Sequence, residues 1–178
     1  MGYYSGFDKL CTALEGGGAL LLAEDRKGRL NAMTIGWAQV GVVWGRPVLT
    51  VLVRPSRYTH ELLENARYFS VCVPGAGRWR RELAFCGSKS GREQDKLRAC
   101  NLPVRAGLKP GLRLVEGAAL SYECEILSKA ALMPRSMAAG PRARYYKSGD
   151  WHTLYFGEIL RVSRKRRALR PEGPDEPV

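Results

Sequence analysis

Asn31-Ala-Met-Thr-Ile-Gly-Trp37 decides how this chain is read, together with Arg54-Pro-Ser-Arg-Tyr-Thr59 one short strand later. The first stretch sets small, backbone-exposing residues between an amide and an indole. A glycine inside a strand marks a bulge or the close approach of a ligand, so Leu30 to Val40 is expected to be a strand made irregular at Gly36. The second stretch places two guanidiniums and three hydroxyls where a strand ends and a helix begins. A helix start offers unpaired N–H groups and a positive dipole end, which suits a phosphate. Read together, the two stretches describe a site for a phosphorylated planar molecule.

Working outward, Ala19–Ala23 is an apolar run expected to be a buried strand, with Glu24–Gly28 as the following hairpin turn. Pro47–Val53 and Tyr68–Val73 are strands by their Val and aromatic content. Between them Thr59 is expected to cap a helix over His60–Ala66, with Leu62, Leu63 and Ala66 inward. Two short helices are predicted over Trp79–Phe85 and Arg92–Ala99, leaving a glycine-serine loop displayed between them. Leu120–Ile126 alternates apolar and polar residues as a half-buried antiparallel strand does. Residues 134–151, which hold Pro134, Gly140, Pro141 and Gly149, read as a long mobile loop, and His152–Val162 as the last strand. Five or six strands with sparse helix predict a β-barrel with helical additions. Residues 1–162 form the expected domain. Residues 163–178, basic and then acidic and proline-rich, form an expected flexible tail, frayed beyond Leu169.

Two more blocks complete a pattern: Cys86-Gly-Ser-Lys-Ser-Gly-Arg-Glu-Gln-Asp-Lys96 and Leu154-Tyr-Phe-Gly-Glu-Ile159. In this order, from about Gly18 to about Val162, the blocks resemble the flavin reductase-like family of FMN-binding split-barrel proteins, which includes the flavoredoxins. The resemblance implies a mainly β fold with short helices, an antiparallel split β-barrel of Greek-key type, FMN as cofactor and a homodimer.

Each part of FMN makes its own demand on the residues. The phosphate needs fixed N–H groups and cations, for which Arg54, Ser56, Tyr58 and Thr59 are placed. Gly87-Ser-Lys-Ser-Gly91 reads as a further anion-cradling loop, with Gly87, Ser88, Lys89 and Ser90 as its candidate contacts, without the spacing of a P-loop. The ring needs an apolar slot with hydrogen bonds along one edge. The segment Asn31, Ala32, Met33, Thr34, Ile35 and Gly36 supplies backbone and amide contacts, and Trp37 a wall. Reduced flavin carries negative charge near its pyrimidine edge, so Lys96, and after it Lys89, are candidate cations tuning its potential. The resemblance places His152 near the flavin, where it accepts or donates a proton. Arg57 is read as a surface charge and His60 as structural. Cys86 has no second cysteine beside it in sequence to support a redox role.

The chain has 178 residues, 45% hydrophobic and 26% charged, with a formal net charge of +12. One domain of this length buries roughly two-thirds of its unfolded surface. Residues 1–60 hold 7 basic and 4 acidic side chains, residues 61–120 hold 11 and 6, and residues 121–178 hold 11 and 7. This dispersed excess attracts anionic cofactors. Aromatics are not interleaved with the basic residues as stacking platforms, so nucleic acid is not the expected partner. Five cysteines without CxxC spacing, and no secretory signal pattern, predict reduced thiols in a cytoplasmic protein. No apolar run reaches the ~20 residues of a membrane span, and no metal ligand set is expected. Two functions share the site: an oxidoreductase taking hydride from NADH or NADPH and reducing free flavin or a redox protein, and an electron-transfer protein without nucleotide turnover.

Overall fold

In a computed structural model that describes residues 2–164, the chain forms five α-helices and nine β-strands. Helix α1 (Phe7–Gly16) leads into β1 (Ala19–Glu24), β2 (Leu30–Ile35), β3 (Ala38–Val43) and β4 (Arg46–Val53). Then come α2 (Tyr58–Asn65), β5 (Tyr68–Val73), α3 (Arg80–Ser88), α4 (Lys96–Ala99) and the small hairpin β6 (Val104–Ala106) and β7 (Arg113–Val115). Two long strands, β8 (Leu120–Ala131) and β9 (Thr153–Arg164), flank a 3-10 turn (Pro134–Ser136) and α5 (Ala139–Tyr145).

Seven strands make one antiparallel sheet in the order β2-β1-β5-β8-β9-β4-β3. Strands β2 and β3 stand at its two ends, yet only Gly36 and Trp37 join them. Three Cα steps of about 3.8 Å span at most about 11 Å. Seven flat strands would hold the ends roughly 29 Å apart, at about 4.8 Å per neighbour. The sheet therefore rolls until its ends nearly meet, and the chain crosses the seam at Gly36-Trp37. The irregularity expected at Gly36 is this crossing. One expected strand is two strands on opposite ends of the sheet.

The rolled sheet encloses the main core, which includes Leu21, Leu49, Val51, Phe69, Val71, Tyr122 and Tyr155, all with almost no exposed surface. A second core, including Leu20, Leu22, Leu83, Cys86, Leu97 and Leu114, lies between the outer face of β1 and α3, α4 and the small hairpin. Strand β1 is buried on both faces, which is why Ala19–Ala23 is apolar throughout. Gly157 of β9 lies under the ring of Phe69, where a Cβ would come 2.4 Å from a ring carbon.

The structure corrects several expectations. Nine strands replace five or six, because the short β6–β7 pair carries too little pattern to register and the crossing at Gly36 divides a run. Helix α1 is additional. Thr59 is not a cap: α2 begins at Tyr58, its N-cap is Arg57, and no side chain caps it. Helix α3 runs three residues past Phe85, so Gly87 and Ser88 are helical. Ser88 Oγ bonds back to the Ala84 carbonyl at 2.8 Å, and the Lys89 N–H closes on Phe85 O at 2.9 Å. Helix α4 begins only at Lys96, because Ser90 takes the Arg92 N–H and Asp95 caps by accepting from the Arg98 N–H at 3.1 Å. Residues 134–151 hold a helix. Strand β9 reaches Arg164, two residues beyond 162. The rest of the expected tail lies outside the described residues.

Candidate functional site

Two joined compartments open along β2. The smaller, about 120 Å³, is lined by Asn31 and Met33 of β2, Ser56–Thr59 at the start of α2, and Cys86, Ser88–Gly91 and Lys96. Asn31 is buried and its Nδ2 donates to Thr59 Oγ1 at 2.8 Å, tying the strand to the helix start. Since α2 has no capping side chain, the Tyr58 and Thr59 N–H groups stay available beside this compartment, while the His60 N–H closes on Arg57 O at 2.9 Å. Arg57 donates to the Gly87 carbonyl at 2.9 Å and so ties α2 to α3. Gly91 closes one wall, where a Cβ would fall 2.2 Å from Asn31 Oδ1.

Lys96 is the unusual group here. Only 3% of it is exposed, and its Nζ donates to the Cys86 carbonyl at 3.0 Å. An ammonium has three donors, and the other two have no protein acceptor among the described residues. Burial, and then the neighbouring Arg57, push its pKa below the usual lysine value. No carboxylate lines the compartment. It is a desolvated, cationic, hydroxyl-rich recess, which is what an anion requires.

The larger compartment, about 280 Å³, is lined by Met33–Trp37, Leu52, Arg54, Arg57, Tyr145 and His152. It shares Met33 and Arg57 with the smaller one. Trp37 stays 37% exposed and lies edge-on to Tyr145 and tilted on His152, each 4.9 Å between ring centres. It is therefore a wall and not barrel core. His152 is buried, and Tyr146 OH and His152 Nδ1 are 2.7 Å apart. Burial, followed by the Arg54 charge, draws the imidazole pKa down to about 4. At pH 7 it is neutral, so it offers a hydrogen bond and not a ready proton.

Arg54 belongs to this second compartment and is already engaged. Its guanidinium donates to Asp150 O at 3.0 Å and Tyr145 O at 2.8 Å, and covers the Tyr146 ring at 5.1 Å. Asp150 accepts from the Ser56 hydroxyl at 2.6 Å and the Ser56 N–H at 3.1 Å. These bonds lower the Asp150 pKa against the opposing effect of burial. Tyr146 stacks on Trp151 at 4.3 Å. Residues 145–152 are thus clamped to the start of α2, unlike the mobile loop expected.

The sequence profile of the flavin reductase like domain matches residues 13–173, nearly the whole chain. The chain belongs to the flavin reductase-like family. It is 30% identical over 136 residues, 72% of this chain and 71% of the other, to the uncharacterized protein YddH of Escherichia coli K12. Among solved structures it is similar to an FMN-binding protein from Thermus thermophilus with bound p-hydroxybenzaldehyde. There the identity is 29%, the TM-score 0.64, and the coverage 84% of this chain and 72% of that one. A flavoredoxin from Methanosarcina acetivorans shares 25% identity with a TM-score of 0.65, over 89% and 74% of the two chains. The rolled antiparallel sheet with short helices is the split barrel of these flavin reductase-like proteins.

Within this member of the family, the structure brings together Asn31, Met33, Ser56, Tyr58, Thr59, Ser88, Lys89, Ser90 and Lys96 around one compartment, and Thr34, Ile35, Gly36, Trp37, Arg54 and His152 around the other. Ala32 faces the second core instead, since alternate residues of a strand point to opposite faces. Gly87 supplies packing against Thr34 and a carbonyl for Arg57. Thr34 Oγ1 donates to Leu83 O at 2.6 Å, which leaves its backbone for the compartment. Sequence reasoning passed over Leu52 and Tyr145 and read Arg57 as a surface charge. The Arg-Pro-Ser-Arg motif contains Arg57 but does not say which arginine faces which compartment. His60 bonds Thr153 Oγ1 at 3.0 Å, the structural role expected of it.

Proposed function

We propose that the chain is an FMN-dependent oxidoreductase taking hydride from NADH or NADPH and passing electrons to free flavin or a redox protein. The observation that carries this reading is the joined pair of compartments, one cationic around the buried Lys96, the other walled by Trp37 and Tyr145 and edged by arginines. Their donor sets match the two ends of FMN. Lys96, Arg57, Lys89 and the α2 start hold the phosphate. Asn31 and Met33 lie where the linking chain passes. The backbone of Thr34–Gly36, with Trp37 and Leu52, holds the ring. When bound, the flavin supplies the two-electron chemistry. The protein's share is to bind, orient and exclude water. His152, neutral at pH 7, offers hydrogen bonding in the ring compartment and does not add a charge there.

The second reading, electron transfer without nucleotide turnover, has one observation in its favour. Tyr145 already lies edge-on to Trp37 in the compartment where a nicotinamide would stack. One experiment separates the two. The purified protein is saturated with FMN, its visible spectrum recorded, and NADH or NADPH added without oxygen. Bleaching supports the oxidoreductase. Flavin bands that bleach only with dithionite support electron transfer, and absence of flavin binding overturns both.

The working unit in this proposal is a homodimer. Strand β3 is a sheet end, and its Val42 and the following Trp44 are 60% and 64% exposed. A long apolar edge invites a partner. Light scattering is expected to give twice the chain mass, and Trp44→Asp to shift it toward one chain.

A further inference from the structure

A third cavity, about 510 Å³, is larger than either compartment and is lined by different residues. It lies between α1, the turn that follows β5, and the first turn of α3. Its inner surface is mainly apolar, with Ala13 of α1 and Leu83 of α3 among the lining groups. Lys9, Arg78 and Arg80 also line it, and all three are exposed. None of them forms an ion pair among the described residues, and no carboxylate lines the cavity. Between the two arginines, Trp79 is buried and held at φ 60°. A bulky residue held in the left-handed region carries backbone strain, which persists where the surroundings fix it. Here it sets Arg78 and Arg80 on the same cavity.

Two residues lining this cavity pack directly on the strand that walls the ring compartment. Gly18 lines the cavity, and a Cβ there would come 2.5 Å from Ile35 O and 2.7 Å from Thr34 Cγ2. Leu83, also lining it, accepts the Thr34 hydroxyl bond at 2.6 Å. Thr34 and Ile35 line the larger compartment from the other side.

We propose that this cavity is a second small-molecule site, for a ligand with an apolar body and one anionic group such as a carboxylate or sulfonate. The apolar surface accepts the body, and Lys9, Arg78 and Arg80 the charge. A ligand at this site would touch Gly18 and Leu83, which pack against Thr34–Ile35, while a ligand in the ring compartment would touch Thr34–Ile35 directly.

The test is a fluorescence titration with 8-anilinonaphthalene-1-sulfonate, on full-length protein with and without saturating FMN. Binding is expected to saturate at one probe per chain and to survive FMN. Octanoate is expected to displace the probe, and octanol, with the same apolar body and no charge, far less well. Arg78→Ser with Arg80→Ser removes two exposed cations and is expected to weaken the probe by about tenfold, with circular dichroism unchanged. Ala13→Phe fills the cavity and is expected to abolish saturable binding. Displacement of the probe by FMN overturns the proposal, because the probe then sits in the flavin compartments. Equal affinity in wild type and both variants overturns it too, as does equal displacement by octanol and octanoate. Because the titration is also run without FMN, loss of this proposal and loss of the flavin reading give different results.

Discussion

The two compartments beside β2 share a strand and an arginine but are built differently. The smaller one is made at the ends of regular elements: a strand residue, Asn31, bonded to a helix-start residue, Thr59, with Lys96 at the start of α4. The larger one depends on a seam crossing at Gly36-Trp37 and on residues 145–152, which come from the connection between β8 and β9 in the middle of the sheet order. The first derives its affinity from buried charge and fixed donors. The second derives its shape from aromatic packing held by the Arg54 and Asp150 clamp. Binding is therefore expected to respond most to changes in the first compartment, and reactivity and acid stability to changes in the second.

The sharpest way to break that contrast is to remove the cations of the smaller compartment. Arg57→Ala combined with Lys96→Met is expected to weaken FMN binding by roughly two to four orders of magnitude, at about 1.5–3 kcal/mol per charge-assisted bond. Lys96→Met keeps the aliphatic stem, so the fold is retained. Arg54→Ala, in the larger compartment, is expected to cost less than about tenfold, because its guanidinium is occupied by carbonyls. Calorimetric titration of FMN into both proteins gives the comparison. Equal losses would erase the distinction.

The larger compartment is expected to show itself instead in acid. His152 has a folded pKa of about 4 against an ordinary value of 6.5, so between these values the unfolded chain binds the extra proton. Stability is then full above pH 6.5 and falls as the pH drops toward 4. The loss is at most about 3 kcal/mol. Denaturant midpoints taken across this range are expected to fall for the wild type and to flatten for His152→Asn. A wild-type slope that His152→Asn leaves untouched assigns the acid sensitivity to other groups.

A finer test returns to the wall of the smaller compartment. Gly91→Ala puts a methyl group where Asn31 Oδ1 and Tyr58 already are. Displacing a packed neighbour costs about 1–3 kcal/mol, so FMN affinity is expected to fall about ten- to a hundredfold with the far-ultraviolet spectrum intact. Smallest of all is Tyr145→Ala, expected to change FMN affinity by less than about 1 kcal/mol while altering the rate of flavin reduction by NADH or NADPH in stopped flow. A change in affinity without a change in rate would place Tyr145 among the binding groups of the ring.

Much of the fold is legible in the sequence. Runs such as Ala19–Ala23 and Tyr68–Val73 specify strands because burial and period leave few alternatives, and the order of the motif blocks pointed to the family. The site was legible as a set of residues and not as an arrangement. Nothing in Arg54-Pro-Ser-Arg57 says that the first arginine is spent on Tyr145 and Asp150 carbonyls some 90 positions away while the second faces both compartments. Residues 134–151 looked patternless because α5 buries none of its own residues, and its neighbours are ordered by partners distant in sequence.

The sequence alone determined what local physics decides: that runs such as Ala19–Ala23 and Tyr68–Val73 are strands, that a helix lies between Pro47–Val53 and Tyr68–Val73, that positive charge is spread along the chain, and which residue types are candidates for a phosphate and a ring. The tertiary structure decided everything that depends on closure. Rolling the sheet brings β2 and β3, its two ends, to the same seam, and that single event sets Trp37 beside His152 and Tyr145. Packing α3 and α4 over β1 and β2 buries Lys96 and shifts its proton affinity, an effect of lost solvent that no pattern of neighbours along the chain encodes.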